Sequence, residues 1–336
     1  MARLRWGIVG LGSLAANGIV PAAARSAHAV ITACATRDPG KAREFAARHG
    51  IPRAHDDHEA LARDPEVDAV FVATPNALHA APVLAAARAG KHVLCEKPLA
   101  LTVVEAEAMV AACRDAGVML RLGLHLRFER FLDRVGEVLR SGAIGQVRGL
   151  SLERAAPPAE RVPWREDPAQ GGSVLYDVGV HLLDLAPRLL GAPLVSVSGL
   201  AWPPPESGRG ADTVSLLAEA ASGTQVAIRV TREAQRAEAG LLATGTAGYL
   251  RTGPLRWVPE YVLTVVDAAG AAREERAPPS DLYRDELDGF ALDLADGGTR
   301  LGTGEDGVRL VRVALAAEAA IREGRRVPLP PAAPGG

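Results

Sequence analysis

The sequence predicts an α/β domain built on a doubly wound parallel sheet, followed by an α+β domain with an open, mainly antiparallel sheet. Two observations carry this. Strand and helix patterns alternate through the first third of the chain with short connections, as repeated β-α-β units require. Beyond residue 190, strand patterns follow one another across turn clusters at 203–210 and Ser222-Gly223, as in an antiparallel sheet. A chain of 336 residues suits two domains at roughly 100–200 residues each. The expected spans are 1–122 and 123–328, with a flexible tail at 329–336 and C-terminal helices able to pack back on the first domain.

Each element has its own signal. Residues 4–9 are a short apolar run ending in glycine, and 14–24 are Ala-rich and helix-compatible. A strand at 30–36 precedes a helix at 41–49 closed by Gly50. Residues 67–74 (VDAVFVAT) are almost continuously apolar, as a parallel strand covered on both faces must be. A helix at 78–89 closed by Gly90 leads to a strand at 92–96. The helix at 102–116 has Thr102 at its N-cap and Gly117 past its end, and a strand follows at 118–126. The pattern then gives a helix at 128–140, a strand at 145–154, a Pro-rich loop at 155–172 and a helix at 174–190. Strands follow at 195–201, 213–220, 225–231, 241–244 and 261–266, and helices at 282–295 and 305–323.

Composition excludes several partners. A net charge of -2 gives no field to attract nucleic acid or an anionic membrane. Aromatics make up 4% of residues, too few for a base-stacking surface. No stretch of about 18 apolar residues is present to span a bilayer, and Gly7, Gly10 and Gly12 interrupt the first apolar run where a signal peptide would need it. Cys34, Cys95 and Cys113 are widely spaced, odd in number and without a CxxC, which reads as buried thiols in a reducing cytoplasm. The cluster His55-Asp56-Asp57-His58-Glu59 reads as a loop and helix start, with Asp56 and Asp57 suited to the cap and first turn, so no metal is expected.

Gly10-Leu11-Gly12-Ser13-Leu14-Ala15 is a G-x-G-x-x-A turn placed after a strand and before a helix. Gly10 makes the tight turn, Gly12 admits a pyrophosphate close to the backbone, and Ala15 lets helix and strand pack. With Ser13 and Leu14, the helix start offers free N–H groups and its dipole to an anion. The first domain is therefore expected to be a Rossmann domain binding a nicotinamide dinucleotide. An NAD site usually has an acid at the end of the second strand. Here Thr36 and Arg37 stand there, and a hydroxyl with a guanidinium suits a 2′-phosphate, which favours NADP. NAD remains possible if Asp38 supplies the acid and Arg37 points to solvent.

Three further segments stand in order: Thr74-Pro75-Asn76 with His79, the run from Gly90 through Glu96-Lys97-Pro98 to Leu99, and the run from Gly171-Gly172-Ser173 through Asp177 to His181. With the glycine turn they resemble the glucose-fructose oxidoreductase/inositol dehydrogenase (Gfo/Idh/MocA) family, from about Arg5 to Val327. The resemblance implies NAD(P)-dependent oxidation or reduction of a sugar, polyol or related carbonyl compound. It also implies a homo-dimer or homo-tetramer through the open sheet. It places Lys97 against substrate and cofactor, with Glu96 beside it, and makes Asp177 and His181 the family's catalytic pair.

Physical chemistry agrees with these roles. Lysine is rare here, confined to Lys41, Lys91 and Lys97, so one that persists at a strand end suits a task a guanidinium cannot do. An ammonium there can stabilise a developing alkoxide, and Pro98 fixes the turn, as a cis peptide or otherwise. Asp177 and His181 are four apart, which puts them on one helix face. They then serve either as a catalytic pair, with His181 exchanging the hydroxyl proton, or as a structural pair positioning the helix. Gly179 suggests close approach of a ligand, and Pro187 should kink or end the helix. His125, Arg127, Trp164 and Asp184 are candidate substrate contacts, Asp184 equally a solvated residue, and Trp164-Arg165 a mobile wall. The competing functions are a cofactor-binding sensor without turnover and a glycosidase that uses NAD for transient oxidation.

Overall fold

The computed structural model describes residues 3–157, 162–255 and 258–329. Two compact units make up the chain: Met1–Phe128 with Asp281–Val311, and Glu129–Ser280 with the chain from Arg312 onward.

The first unit begins β1 (Leu4–Val9), α1 (Val20–Arg25), β2 (Ala29–Ala35), α2 (Pro39–His49), β3 (Arg53–His55), α3 (His58–Ala62), β4 (Ala69–Val72). It continues α4 (Ala80–Arg88), β5 (His92–Glu96), α5 (Val103–Asp115) and β6 (Leu120–Gly123). The six strands pair in parallel in the order β6-β5-β4-β1-β2-β3. All four residues of β4 are buried, as a strand covered on both faces should be. Asp38, Asp57 and Thr102 each accept backbone N–H bonds at the starts of α2, α3 and α5. The winding reverses beside β1, because β2 and β4 flank it. Ligands of such sheets bind at that reversal, beyond the carboxyl ends of the strands.

The second unit contains α6 (Arg130–Arg140), β7 (Val147–Ala155), α7 (Val180–Leu190), β8 (Leu194–Trp202), β9 (Thr213–Ala220) and β10 (Gln225–Thr231). Strands β11 (Glu238–Gly245), β12 (Gly248–Thr252), β13 (Tyr261–Asp267) and β14 (Ala272–Ala277) follow. The chain closes with α8 (Leu282–Asp296), β15 (Gly302–Thr303), α9 (Gly304–Glu323) and β16 (Val327–Pro328). The second sheet runs β14-β13-β12-β11-β7-β10-β9-β8-β16, antiparallel apart from the β7–β10 pair among the described residues. Its strands alternate. Val214, Leu216, Val226 and Ile228 are buried on one face, while Leu200, Trp202 and Leu217 are left exposed.

Three expectations change. First, the compact units part after Phe128 rather than at 122/123, and α8 and β15 join the first unit, which the expected packing back of C-terminal helices allowed. Helix α8 buries Leu287 and Phe290 in the core around Trp6, with the Trp6 and Phe290 rings 4.8 Å apart. Buried Asp293 accepts hydrogen bonds from Arg121 Nε at 3.2 Å and Leu301 N at 3.2 Å, and β15 pairs with β6. Second, Pro187 does not end α7, which runs on to Leu190 and is closed by left-handed Gly191. Proline removes only its own donor, and residues beyond it remain helical. Third, the tail does not begin at 329. Val327 pairs with β8, and Leu329 is buried with its N–H 2.9 Å from the Val195 carbonyl. Residues 330–336 lie outside the described residues, as do 158–161 of the Pro-rich loop.

Candidate active site

The site in the first unit grows from the end of β1. Gly10 has φ +96°, and a Cβ there would fall 2.5 Å from the Ala73 carbonyl carbon, so only glycine lets this turn lie against the end of β4. Gly12 is different: a Cβ there would meet nothing within 4 Å. It keeps an open cradle at a helix start rather than resolving a clash. Helix follows from Ser13, which accepts a hydrogen bond from Asn17 Nδ2 at 3.1 Å. Leu14 is partly buried and Ala15 fully buried against the sheet. The turn of helix at Ala15–Ile19 is π-type, which the sequence did not signal; such turns recur at functional sites. A cradle with free N–H groups at a helix start fits a dinucleotide pyrophosphate.

Thr36 is half-buried and Arg37 exposed at the end of β2. Asp38, the alternative acid, accepts from Gly40 N at 2.9 Å and Lys41 N at 3.2 Å as the N-cap of α2. Its carboxylate is engaged in holding the helix start.

Next to these, the segments after β4 and β5 are tied to each other. His79 is buried, with Nδ1 2.8 Å from the Pro98 carbonyl and Nε2 3.1 Å from the Thr74 carbonyl. Burial pushes its pKa down to about 4, against the pull of these carbonyls. A neutral ring carries one N–H, so buried His79 donates to one of these carbonyls and packs against the other. Thr74 Oγ1 donates to the Leu78 carbonyl at 3.0 Å. Pro75 is half-buried and Asn76 buried at the start of a short 3₁₀ turn. The Lys97-Pro98 peptide is cis. Glu96 is buried, and its Oε2 accepts from Lys97 N at 3.3 Å. Gly123 gives it room, since a Cβ there would lie 3.1 Å from Glu96 Oε1. Lys97, half-buried, stands at the carboxyl end of β5, two strands from β1.

Two candidate substrate contacts follow β6. The His125 ring lies 5.0 Å from the Tyr283 ring. Arg127 is ion-paired with Asp306 at 2.9 Å, its side chain only 12% exposed. The guanidinium is thus committed to the start of α9, which no local sequence feature revealed.

In the second unit, Ser173 begins the helix. Its hydroxyl accepts from Leu175 N at 3.2 Å, and its carbonyl from Asp177 N at 3.0 Å. A π-helical turn at Leu175–Gly179 precedes α7. Asp177 lies in that turn and His181 in the α-helix after it, so the simple four-residue spacing does not describe the pair. Asp177 is 30% exposed and pairs with Arg165, Nε to Oδ2 3.3 Å. His181 is 4% exposed, and Asp184 is half-buried one turn on. Gly179 is not a point of ligand approach: it is buried, and a Cβ would press on Leu175 Cδ1 at 3.1 Å.

Sequence reasoning named Arg165 as part of a wall but did not foresee its pairing with Asp177. Its position depends on Gly172, where a Cβ would lie 2.4 Å from the Trp164 carbonyl, and on Gly210, whose N–H donates to the Glu166 carbonyl at 3.0 Å. Arg232 donates to the Arg165 carbonyl at 3.1 Å and pairs with Asp212 at 2.6 Å. The Trp164-Arg165 turn is thus anchored, which corrects the mobile wall. The Arg165 guanidinium lies 5.1 Å from the centroid of the half-buried Trp164 ring.

Comparison with known proteins identifies both domains. Residues 4–124 match the oxidoreductase family with NAD-binding Rossmann fold, and 132–251 match the GFO/IDH/MocA C-terminal domain. The chain is 33% identical over 329 residues to a 1,5-anhydro-D-fructose reductase of Ensifer adhaerens, covering 96% of this chain and 97% of that one. It is 32% identical over 314 residues to a D-xylose 1-dehydrogenase (NADP(+)) 2 of Haloferax volcanii, covering 92% and 94%. A solved aldose-aldose oxidoreductase of Caulobacter crescentus, complexed with glycerol, superposes with TM-score 0.86 at 30% identity over 97% and 100% of the chains. The chain belongs to the Gfo/Idh/MocA oxidoreductase family and is an NAD(P)-dependent dehydrogenase or reductase acting on CH–OH groups. Among the described residues, no helix is long and apolar enough to cross a membrane.

Proposed function

We propose that this enzyme favours NADP(H) and interconverts the hydroxyl and carbonyl forms of a sugar or polyol, with Lys97, His181 and Asp177 carrying the chemistry. The observation that supports this best is the open Gly12 cradle at the reversal of the sheet, with Lys97 at the end of a neighbouring strand. The substrate class follows the anhydrofructose, xylose and aldose enzymes that the chain resembles over nearly its whole length. Bound coenzyme would supply hydride donor and acceptor, held by Gly10, Gly12, Ser13 and Leu14 at the pyrophosphate and Thr36 and Arg37 at the 2′-phosphate. Lys97 donates a hydrogen bond to the reacting oxygen and stabilises its negative charge. His181 takes the hydroxyl proton during oxidation and returns it during reduction. Asp177, fixed by Arg165, holds negative charge one helix turn before His181. The sensor and glycosidase readings are not favoured, since net turnover explains why an ammonium, an imidazole and a carboxylate are all kept.

Coenzyme preference has its own test. Asp38 is occupied as a helix cap, which leaves Thr36 and Arg37 to meet the ribose. Sugar-dependent turnover is expected to be faster with NADPH than with NADH. Thr36→Asp, which sets a carboxylate against the 2′-phosphate, should weaken NADPH by at least about tenfold, equivalent to ~1.4 kcal/mol. Preference for NADH in the unaltered enzyme would reject this assignment. The apolar sheet face is assigned to contact with another copy, since Leu200, Trp202 and Leu217 are 65–76% exposed together on it. Sedimentation should show a dimer or tetramer that Leu217→Glu dissociates; a monomeric wild-type enzyme would reject it.

A further inference from the structure

The π-helical turn at Leu175–Gly179 has a shape that must be held. Its closing bond runs from Val180 N–H back to the Leu175 carbonyl, five residues away. The turn thus contains one residue more than an α-helical turn. Compared with a continuous α-helix, side chains before the extra residue are rotated by about 100° against those after it. Asp177 lies within the turn and His181 beyond it. Their relative direction therefore depends on the extra residue staying in place.

Two side chains of the turn reach out to other segments of the second unit. Asp177 pairs with Arg165 at 3.3 Å, both about one-third exposed. Tyr176, the residue before it, is buried, and its hydroxyl donates to Glu318 Oε2 at 2.7 Å. Glu318 is half-buried on the part of α9 that belongs to this unit. Neighbouring residues of a helical turn diverge by roughly 100°, so the two contacts hold the turn from different sides. The longer, more exposed ion pair is screened by solvent. The shorter bond from a buried phenol to a carboxylate is charge-assisted and the firmer of the two.

We propose that Tyr176 and Glu318 are positioning residues: their hydrogen bond locks the π-helical turn and so sets the direction of Asp177 relative to His181. The role rests on Asp177 and His181 acting in the reaction. The phenol stays the donor, because burial and the Glu318 charge both raise its pKa above the usual range. Without the hydroxyl, the Tyr176 ring would keep its packing, and half-buried Glu318 would turn to water. The fold then loses little while the turn loses its lock.

The experiment uses the full-length enzyme, followed as NADPH formed from an aldose. Tyr176→Phe should lower kcat about fivefold, or ~1 kcal/mol, with KM and NADPH affinity unchanged and Tm lowered by no more than about 4 °C. Hydrogen exchange at residues 175–180 should quicken. Glu318→Gln, which keeps an acceptor oxygen, should stay within about twofold of the wild type, and Glu318→Leu should match Tyr176→Phe. Added to Asp177→Asn, Tyr176→Phe should cost nothing further, because it acts through that carboxylate. Wild-type kcat or unchanged exchange in Tyr176→Phe, beside an impaired Asp177→Asn, overturns the positioning role alone. Losses that multiply in the double variant also overturn it, for the bond would then be a staple independent of Asp177. Wild-type kcat in Asp177→Asn removes the reading on which the role stands.

Discussion

Replacing His181 with alanine is expected to lower kcat by about 10²–10⁴-fold, the usual contribution of a positioned acid–base group. The side chain is 4% exposed on α7, which continues the π-helical turn that Ser173 begins. Its shielding from solvent suits an imidazole that exchanges a proton with substrate rather than with bulk water. His181 is not among the residues assigned to hold the coenzyme, so NADPH affinity should not change. Loss of kcat with intact coenzyme binding marks removal of an interaction made in the transition state. Asp177→Asn should give a smaller loss, because the π-helical turn still holds the backbone there although the charge paired with Arg165 is gone. If His181→Ala turns over at the wild-type rate, the residue is structural and the acid–base group lies elsewhere.

The second large effect is expected at Lys97. Lys97→Met keeps the length and apolar stem but removes the ammonium, and should reduce kcat by about 10²–10³-fold, as loss of one donor to a developing oxyanion does elsewhere. The backbone there is held independently of the side chain, by the Glu96 contact to Lys97 N and by His79 on the Pro98 carbonyl. The fold should therefore survive, and a Tm measurement checks that. Lys97→Arg should not restore the rate, because a planar guanidinium cannot take the place of a compact ammonium in a confined turn. Wild-type activity in Lys97→Arg would mean that positive charge alone is needed.

Much of this was legible because it is local. Strands β5, β9 and β10 lie where alternation or apolar runs placed them, and Thr102 caps α5 as its residue type suggests. Gly10, Gly12 and Lys97 announce themselves through residue type beside a strand end. Strands β12 and β14 were missed: β14 is Ala-Arg-Glu-Glu-Arg-Ala, without a buried residue to set a period. What sequence hid was long-range. Asp306 claims Arg127 from 179 residues away, and Arg165 reaches Asp177 only because Gly172 and Gly210 let the loop fold down. The bond from Tyr176 to Glu318 joins two helical segments whose patterns could not reveal it.

Gly12 offers the most direct test that this enzyme works by binding a dinucleotide at the reversal of its sheet. Its Cβ position is open and its backbone ordinary, so Gly12→Val should alter stability by no more than about 0.5 kcal/mol. Followed by nicotinamide fluorescence, NADPH should bind the wild type, and Gly12→Val should lose at least about tenfold in affinity, or ~1.4 kcal/mol, at an unchanged Tm. Equal binding by the two proteins would contradict the account, for the coenzyme would then sit somewhere other than the glycine turn.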